Sequence, residues 1–420
     1  MNIEDLYSLY KKSYLVDTDT RNIRKNSLFF ALKGANFNGN KFAQQALDKG
    51  ASYSIVDEVI DQKTTSKNII IVANVLQTLQ DLANYHRLQL GITIISLTGS
   101  NGKTTTKELI NAVLSKKYKT LATFGNLNNH IGVPLTLLSL TKETEIGIIE
   151  MGANHHNEIA TLSKIVAPDF GYITNFGKAH LEGFGSVEGV IEAKSELYDF
   201  LLTNSKHIFV NPFDNIQVEK TQKGNCIYFD KNTKLTSSNP FVTLTYKGHL
   251  ISSNLIGDYN YNNIVAAITI GEYFNVATTK IIEAIENYIP KNNRSQIINT
   301  TSNQIILDAY NANPSSMEVA IKNFSKLEAT KKVLILGDMF ELGKDSVSEH
   351  NFIADLSNNL SFHEILLVGE NFHKTTNNLK KFITFEALKD YVISNQFTET
   401  SILIKGSRGM KLERLLDYIS

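Results

Sequence analysis

An apolar run, Ile92-Thr93-Ile94-Ile95-Ser96-Leu97, is followed by Thr98-Gly99-Ser100-Asn101-Gly102-Lys103-Thr104-Thr105 and then by apolar residues at helical spacing. This order predicts a buried strand, a glycine-containing loop and an amphipathic helix. In such a loop the glycines let backbone N–H groups turn inward, and the helix N-terminus adds a partial positive charge. The pattern is typical of a phosphate-binding loop, in which Lys103 reaches the outer phosphates of a nucleoside triphosphate and the Thr104 hydroxyl binds its Mg²⁺.

The loop is a shortened form of the common phosphate-loop pattern, because Leu97 stands where the first glycine would fall. It predicts that the chain binds a nucleoside triphosphate, but it does not say how that nucleotide is used. The alternative is a turn of glycine and threonine residues that enters an ordinary helix.

Beyond Ile92, short apolar segments alternate with helical segments, which predicts parallel sheets covered by helices on both faces. The further predicted strands are 146–149, 170–173, 208–210, 305–307, 333–336, 365–368 and 402–404. Ligands of such sheets bind beyond the carboxyl ends of the strands. Several polar residues follow a predicted strand directly: the loop 99–104, Glu150, Asn175, Asp308, Asp338 and Lys405.

The length of 420 residues exceeds what one hydrophobic core usually supports. The segment before Ile92 has a different texture, with a turn-rich stretch at 33–39, and a second break falls at Pro290-Lys291-Asn292-Asn293. We therefore predict an α/β protein of three domains, at 1–90, 91–292 and 293–420. The break near Pro290 is the expected hinge for a rotation of the last domain.

The 42 basic and 42 acidic residues cancel, which argues against a nucleic-acid or anionic-membrane partner. Cys226 is the single cysteine, so an internal disulfide framework and a cysteine-rich metal site are excluded. No secretory signal or membrane-length apolar run is visible. We expect a cytoplasmic monomer without membrane insertion.

Three residues are candidates for metal chemistry, each with a plainer alternative. Glu150 ends a predicted strand beside the phosphate loop, where a carboxylate is placed to bind Mg²⁺, although it could be a solvated strand end. His180 lies in the glycine-bracketed loop 175–186 and is either a metal ligand or a structural histidine. Lys194 lies on a predicted helix at 187–201, either as a surface charge or as a carbamate formed with carbon dioxide. Periodicity does not decide between these two roles.

Two further segments carry polar side chains at predicted helix starts. In Gly257-Asp258-Tyr259-Asn260-Tyr261-Asn262-Asn263, asparagine side chains could cap the helix or bind an adenine edge, and both interpretations stay open. In Asp308-Ala309-Tyr310-Asn311-Ala312-Asn313-Pro314-Ser315-Ser316-Met317, Ser315 or Ser316 is available as a cap. The exposed polar groups of this loop are suited to bind a small zwitterion. The alternative is that the loop has only a structural role, as a well-capped helix start.

Taken in order, these motifs resemble those of the Mur ligase family over essentially the whole chain. The loop 98–105, Glu150-Met151-Gly152, the loop 175–186, Lys194 and 260–267 resemble the ATP and magnesium machinery common to that family. Segments 308–317, 337–343 and 405–410 resemble the branch that adds D-alanyl-D-alanine. Segments 19–21, 27–34 and 38–42 look like its UDP-sugar domain, and 125–134 looks like the loop that faces the muramoyl substrate.

The resemblance implies a small N-terminal UDP-sugar-binding α/β domain, a central phosphate-loop ATPase with a mainly parallel sheet, and a C-terminal Rossmann-like α/β domain. It implies an ATP- and Mg²⁺-dependent ligase that joins D-alanyl-D-alanine to the terminal carboxylate of UDP-N-acetylmuramoyl-tripeptide through an acyl phosphate, in peptidoglycan precursor synthesis. The third peptide residue stays open.

The resemblance also implies roles for individual residues of this chain. Lys103 and Thr104 hold triphosphate and magnesium, Glu150 and His180 bind metal, and Lys194 is the lysine that is carbamylated. The residues around adenine, the phosphates and ribose are Gly99, Ser100, Asn101, Gly102, Thr105, Asn263, Arg294 and Asp308. The residues expected to contact the other substrates are Arg21, Lys33, Asn128, Asn129, Asn311 and Asn313.

The chain departs from the common pattern at a few positions: Tyr259 and Asn40 stand where relatives carry histidine, and Asn157 and Asn293 where they carry glycine. The alternatives within the superfamily are the ligase that adds the third peptide residue and folylpolyglutamate synthase. A nucleotide-driven switch or transport ATPase would also use a phosphate loop, but it has no need of His180, Lys194 or a sugar-nucleotide domain.

Overall fold

The N-terminal part of the chain folds around a small parallel sheet. The computed structural model describes residues 1–58, 66–291 and 293–419. The elements of this part are α1 (Ile3–Tyr10), β1 (Val16–Asp17), β2 (Leu28–Phe30), β3 (Lys33–Gly34), β4 (Phe37–Asn38), α2 (Ala43–Asp48), β5 (Tyr53–Val56), β6 (Ile69–Ile71) and α3 (Val75–Leu90). Four strands form one sheet in the order β1-β2-β5-β6, and β3 pairs with β4 as a separate hairpin.

The last helix of this part, α3, joins the N-terminal sheet to the next layer of the protein. Gly91 ends α3 in the left-handed region, at φ 64°. Arg87 of α3 donates to the carbonyl of Val166 at 3.1 Å and contacts the Asp169 carboxylate at 2.7 Å. Apolar residues of α1 and α3 share one hydrophobic cluster with helices of the central part. The N-terminal sheet is therefore packed firmly against its neighbour.

The central part contains the phosphate loop in a six-stranded parallel sheet of order β12-β11-β10-β7-β9-β8. The strands and helices are β7 (Thr93–Thr98), α4 (Lys103–Leu114), β8 (Thr120–Ala122), α5 (Gly132–Leu137), β9 (Ile146–Glu150), α6 (Glu158–Val166), β10 (Phe170–Ile173), α7 (Leu181–Phe184), α8 (Val187–Thr203), β11 (His207–Val210), α9 (Asn215–Thr221), β12 (Asn225–Tyr228), β13 (Lys234–Ser237), β14 (Phe241–Tyr246), β15 (His249–Ile256), α10 (Tyr259–Tyr273) and α11 (Thr278–Glu286). Separate apolar clusters cover the two faces of the sheet. The antiparallel sheet β13-β14-β15 was not predicted from the sequence.

The C-terminal part is a second six-stranded sheet of order β16-β17-β21-β18-β19-β20. Its elements are β16 (Gln296–Asn299), β17 (Asn303–Asp308), α12 (Pro314–Ser325), β18 (Lys331–Gly337), α13 (Ser346–Asn358), β19 (Glu364–Val368), α14 (Glu370–His373), β20 (Lys380–Phe382), α15 (Phe385–Ser394) and β21 (Thr400–Lys405). Only the edge strand β16 runs antiparallel to its neighbour. Helices cover both faces, so the predicted Rossmann-like arrangement is confirmed.

The expected hinge at 290–294 includes Asn292, which lies outside the described residues. Across those described, no helix combines the length and the hydropathy that crossing a bilayer requires.

Candidate active site

The carboxyl ends of the central and C-terminal sheets face each other across a cleft of about 870 Å³. Loops that follow β7, β9 and β10 form one wall, and loops that follow β17 and β21 form the other. Most predicted site residues line it: Ser100, Asn101, Gly102, Lys103, Thr104, Thr105, Asn128, Asn129, Glu150, His180, Asn263, Arg294, Asp308, Asn311 and Asn313. Gly99, Lys194, Arg21 and Lys33 are not among the lining residues. The loops at the carboxyl ends of the strands thus bring together residues that are far apart in sequence.

The phosphate loop turns directly from β7 into α4. Gly102 sits at φ 79° immediately before the helix, a backbone region that residues with a Cβ rarely adopt. The Lys103 ammonium donates to the carbonyls of Gly99 at 2.6 Å and Ser100 at 3.2 Å. Desolvation by the surrounding protein lowers the pKa of Lys103 to about 8. Its side chain therefore folds back over the loop to the place where phosphate oxygens would lie.

Glu150 is buried rather than solvated at its strand end, with 1% of its surface exposed. One carboxylate oxygen accepts a hydrogen bond from the Thr104 hydroxyl at 2.9 Å, and the other accepts from the Asn128 amide at 2.9 Å. Two of the four predicted metal ligands, Thr104 and Glu150, are therefore hydrogen-bonded to each other, and the loop at 125–134 contacts Glu150 through Asn128. A carboxylate beside a hydroxyl is the hard oxygen set that Mg²⁺ prefers, so the residues present fit that ion.

Asn263 lies behind the phosphate loop, with 4% of its surface exposed. Its side-chain oxygen accepts from the Thr106 hydroxyl at 3.0 Å, and its amide nitrogen donates to Asn260 at 2.8 Å. Helix α10 has no side-chain cap at Asp258, so the capping role considered for these asparagines is wrong. Asn263 instead fixes α10 against α4, directly behind Gly102.

This packing predicts a large effect of Gly102→Ala. A methyl group there would meet the Asn263 side-chain oxygen at 2.7 Å, in addition to the unfavourable φ. We expect nucleotide affinity, measured by calorimetry with ADP, to fall about tenfold or more, because strain and a clash of this kind each cost about 1 to 3 kcal/mol. Gly248→Ala is the matched control, since Gly248 has φ 80° and nothing within 4 Å of an added Cβ. Equal ADP affinities of the two variants would contradict the role of Asn263 packing.

His180 contacts the C-terminal domain. Its Nδ1 makes a short hydrogen bond with the carboxylate of Glu341, which also lines the cleft. The hydrogen bond with His180 lowers the pKa of Glu341 below its ordinary value. Both residues have positive φ, 53° for His180 and 62° for Glu341. Non-glycine residues in this region are uncommon and cluster at functional sites.

Lys194 is fully buried on α8, so the surface-charge alternative is wrong. Its ammonium donates to the Ala153 carbonyl at 3.0 Å and lies 4.8 Å from the centre of the Phe184 ring. Desolvation, followed by repulsion from Lys103, lowers the pKa of Lys194 to about 7. The side chain is therefore partly uncharged near neutral pH, and a neutral amine is a nucleophile.

The charged side chains of the C-terminal wall are held by contacts with neighbouring side chains. The Lys405 ammonium pairs with the Asp308 carboxylate at 2.5 Å, and the Arg294 guanidinium lies 3.7 Å from the centre of the Tyr310 ring. Asn313, not Ser315 or Ser316, is the N-cap of α12. The amide of Asn313 also donates to the Asn101 side chain at 2.8 Å. This bond joins the loop after β17 directly to the phosphate loop.

Two predicted substrate residues lie on the N-terminal domain. Arg21 is exposed and pairs with Asp19 at 2.6 Å. Lys33 lies 3.1 Å from both Asp57 and Glu58. Asp338, another residue at a strand end, does not line the cleft, because its buried carboxylate accepts the first N–H groups of α14.

Glu341 lines the cleft but received no predicted role of its own, although it lies in the segment 337–343 that resembles the family. Lys107, which does not line the cleft, received none either; it is buried one turn beyond Lys103 and donates to the Thr123 carbonyl at 2.6 Å. A charged residue four positions after Lys103, and therefore on the same face of α4, was the available signal for it. Within the described ranges, no group of three or more His, Cys, Asp or Glu side chains is arranged to hold a metal ion.

Three family models match this chain in order. They are the Mur ligase family catalytic domain at 12–87, the Mur ligase middle domain at 97–271 and the Mur ligase glutamate ligase domain at 293–408. The UDP-N-acetylmuramoyl-tripeptide--D-alanyl-D-alanine ligase of Bacillus subtilis is 34% identical, over 96% of this chain and 92% of the relative.

Solved structures agree with this result. MurF from Acinetobacter baumannii superposes with a TM-score of 0.85 at 32% identity, covering 96% of this chain and 92% of that one. MurF ligase from Thermotoga maritima in complex with ADP superposes with a TM-score of 0.84 at 26% identity, covering 96% of both chains. The chain with this phosphate loop and this two-sheet cleft belongs to the Mur ligase family.

Proposed function

We propose that this protein is an ATP-dependent ligase that joins D-alanyl-D-alanine to the terminal carboxylate of UDP-N-acetylmuramoyl-tripeptide, in peptidoglycan precursor synthesis. One observation carries the proposal: the phosphate loop and the 308–313 loop, which resembles the dipeptide-adding branch, meet in one cleft through the 2.8 Å bond between Asn101 and Asn313. The name carried by the full-length relative supports this branch over the ligase that adds the third residue and over folylpolyglutamate synthase.

The cleft suits ATP. The Gly99–Thr105 loop offers backbone N–H groups, the N-terminus of α4 and the Lys103 ammonium to the phosphates. An apolar cavity of about 130 Å³ adjoins the cleft, shares Tyr259, Ser295 and Asp308 with it, and suits the adenine base. The Thermotoga maritima relative was solved in complex with ADP, which supports the same choice of nucleotide. Asp308 borders both regions and Arg294 lines the cleft, where ribose and phosphates would be.

Thr104 and Glu150 would hold Mg²⁺, with His180 and a carbamylated Lys194 as ligands of a second ion. Divalent ions held there would neutralise phosphate charge. The mutual contact of Thr104 and Glu150 supports the first pair of ligands. The burial of Lys194 and its lowered pKa support the carbamate, because carbon dioxide reacts with a neutral amine.

The reaction needs activation, because a carboxylate does not react with an amine in water. We place the tripeptide carboxylate in line with the γ-phosphate of ATP, so that phosphoryl transfer gives an acyl phosphate and ADP. The dipeptide amine, after losing a proton, then attacks the acyl carbon and phosphate leaves. Phosphoryl transfer requires mainly positioning and charge neutralisation, and Lys103 supplies both in a partly desolvated site.

The three domains divide the substrates between them. Arg21 and Lys33 lie on the N-terminal domain proposed for the UDP-sugar, and Asn128 and Asn129 lie in the cleft towards the muramoyl group. Asn311 and Asn313 line the C-terminal wall, where the dipeptide would bind. We keep the bounds 1–90, 91–292 and 293–420 for these domains. A monomer in the cytoplasm fits, since one chain supplies all of these residues and ATP is a cytoplasmic metabolite.

A product assay tests the proposal. We expect the purified protein, given ATP, Mg²⁺ and D-alanyl-D-alanine, to convert UDP-N-acetylmuramoyl-tripeptide to the pentapeptide product detected by mass. Tripeptides with diaminopimelate and with lysine are supplied separately, which identifies the third residue. L-alanyl-L-alanine is the control dipeptide. Phosphate release that does not depend on D-alanyl-D-alanine would instead favour a nucleotide-driven switch or transport ATPase.

A further inference from the structure

One loop of the central domain is held from both sides of the cleft. This loop, residues 175–186, is called the bridging loop below. On the central side, the Ser100 hydroxyl donates to the Gly177 carbonyl at 2.9 Å. On the C-terminal side, the backbone N–H of Lys178 donates to the Ser315 hydroxyl at 2.8 Å. The bridging loop therefore contacts both the phosphate loop and the C-terminal domain.

Glu341 of the C-terminal domain makes two hydrogen bonds with the bridging loop. The backbone N–H of Glu182 donates to the Glu341 carbonyl at 3.2 Å, while the Glu341 carboxylate accepts from Nδ1 of His180. Nearby, Lys178 pairs with Glu349 at 2.7 Å. Glu341 thus contacts the bridging loop through both its backbone and its side chain.

The contact between His180 and Glu341 is made by two residues in the left-handed region of φ. Such a conformation costs free energy in a residue other than glycine, so surrounding contacts must hold it. Glu341 is also half exposed to the cleft, with 52% of its side chain accessible, and charged side chains at such positions usually remain hydrated and mobile. Its fixed orientation towards the imidazole therefore needs a reason.

A carboxylate that accepts from Nδ1 selects one tautomer of the neutral His180 ring. The neutral imidazole then carries its proton on Nδ1 and presents a lone pair on Nε2. In the described part of the chain, Nε2 of His180 has no hydrogen-bond partner, and His180 lines the cleft. A carboxylate–imidazole pair of this kind is the usual support of a metal-binding histidine, because it fixes the ring and raises its basicity.

We infer that Glu341 is a positioning residue of the active site, which holds His180 so that Nε2 faces the cleft. Glu341 can do this only when the C-terminal domain is docked against the bridging loop. This inference rests on the proposed function, because it assumes that His180 binds a divalent ion during ligation. It adds that one ligand is made ready by a different domain. Binding of the ion and seating of the C-terminal domain must then favour each other.

Mn²⁺ binding to the full-length chain tests this inference, with ADP saturating and Mn²⁺ as the probe. We expect electron spin echoes of the wild-type complex to show modulation by an imidazole nitrogen, and His180→Ala to abolish it. We expect Glu341→Ala to weaken Mn²⁺ binding about 10- to 100-fold and to reduce the nitrogen modulation, as loss of such a supporting group typically does. Glu341→Gln should recover part of the affinity, because its amide oxygen still accepts from Nδ1.

Glu349→Gln is the matched control, since it removes the neighbouring ion pair of the same interface without touching His180. We expect this variant to bind Mn²⁺ like the wild type. An equal loss in Glu349→Gln and Glu341→Ala would overturn the inference, because seating of the domain alone would then explain both. Unchanged Mn²⁺ affinity and nitrogen modulation in Glu341→Ala would also overturn it.

A third result would assign Glu341 to the substrate instead. If Glu341→Ala raises the KM for D-alanyl-D-alanine while Mn²⁺ binding stays unchanged, the carboxylate contacts the dipeptide and the inference is wrong. Failure of the proposed function is seen separately, as absence of pentapeptide from the wild-type enzyme, and it leaves the Mn²⁺ comparison readable.

Discussion

Lys103→Ala is expected to lower turnover of the ligation reaction by about 10²- to 10³-fold or more, the usual cost of removing a group that stabilises transition-state charge. The ammonium lies over its own loop and, within the part of the chain that the structure describes, bonds only the Gly99 and Ser100 carbonyls, so it is free to move onto phosphate oxygens when nucleotide binds. Coupled phosphate release and pentapeptide formation measure the loss.

The fold should survive this substitution. The side-chain bonds of Lys103 to described residues stay within its own loop, and removing a desolvated ammonium relieves a cost of burial. We expect the melting temperature of Lys103→Ala to stay near that of the wild type. Lys116→Ala is the control, because Lys116 follows α4 but pairs with Glu283 away from the cleft. Near-normal ligation by Lys103→Ala would remove the basis for the phosphate-loop assignment.

The inner strands of the two six-stranded sheets could be predicted from sequence, because they are buried on both faces and therefore continuously apolar. The edge strands Thr120–Ala122, Asn225–Tyr228 and Lys380–Phe382 were not predicted, since they are only partly buried. The segment predicted at 170–173 is strand Phe170–Ile173, and the one at 402–404 forms the centre of Thr400–Lys405. Strands with one exposed face were missed. In Phe241–Tyr246 every second residue is buried, and its partner Lys234–Ser237 is fully exposed, so neither carries a long apolar run.

The grouping of the candidate site residues could be predicted on the same basis, but only in part. Glu150 and Asp308 were predicted at strand ends and line one cleft, because the carboxyl ends of parallel strands meet at one edge. The contact between His180 and Glu341 joins residues 161 positions apart, in loops of two different domains, and no periodicity connects them. The packing of Asn263 against Gly102 was not predicted either. The residues next to Asn263 in sequence indicated only a helix cap or a contact with adenine.

Two departures from the family pattern are explained by the backbone. Asn157 and Asn293, at the two positions where the resemblance leads us to expect glycine, have φ of 67° and 57°. Asparagine tolerates the left-handed region better than most residues, because its short polar side chain bonds locally. These substitutions therefore keep the backbone path beside Glu158 and Arg294, and they leave the arrangement of the cleft intact.

Lys194 would contribute to the site through a chemical change that the unmodified side chain does not display. In that change its neutral amine would attack the carbon of carbon dioxide; an N–C bond would form and the nitrogen would lose one proton to solvent, which would leave a carbamate with one negative charge. Because the pKa is about 7, the neutral form dominates above that pH and carbamylation is favoured there. The product replaces a buried cation by an oxygen ligand, which removes the repulsion from Lys103.

Lys194→Ala is therefore expected to lower ligation on the order of 10²-fold, the upper range for losing a group that supports bound metal. Added acetate or formate should recover part of the activity, because the vacated volume on buried α8 admits a small carboxylate at the position of the carbamate. Lys164→Ala, on the exposed face of α6, should keep its activity and show no response to these anions. Unimpaired ligation in Lys194→Ala would exclude the carbamate. A loss that no concentration of acetate or formate restores would assign Lys194 to packing against Phe184, where its ammonium now lies, instead of to metal binding.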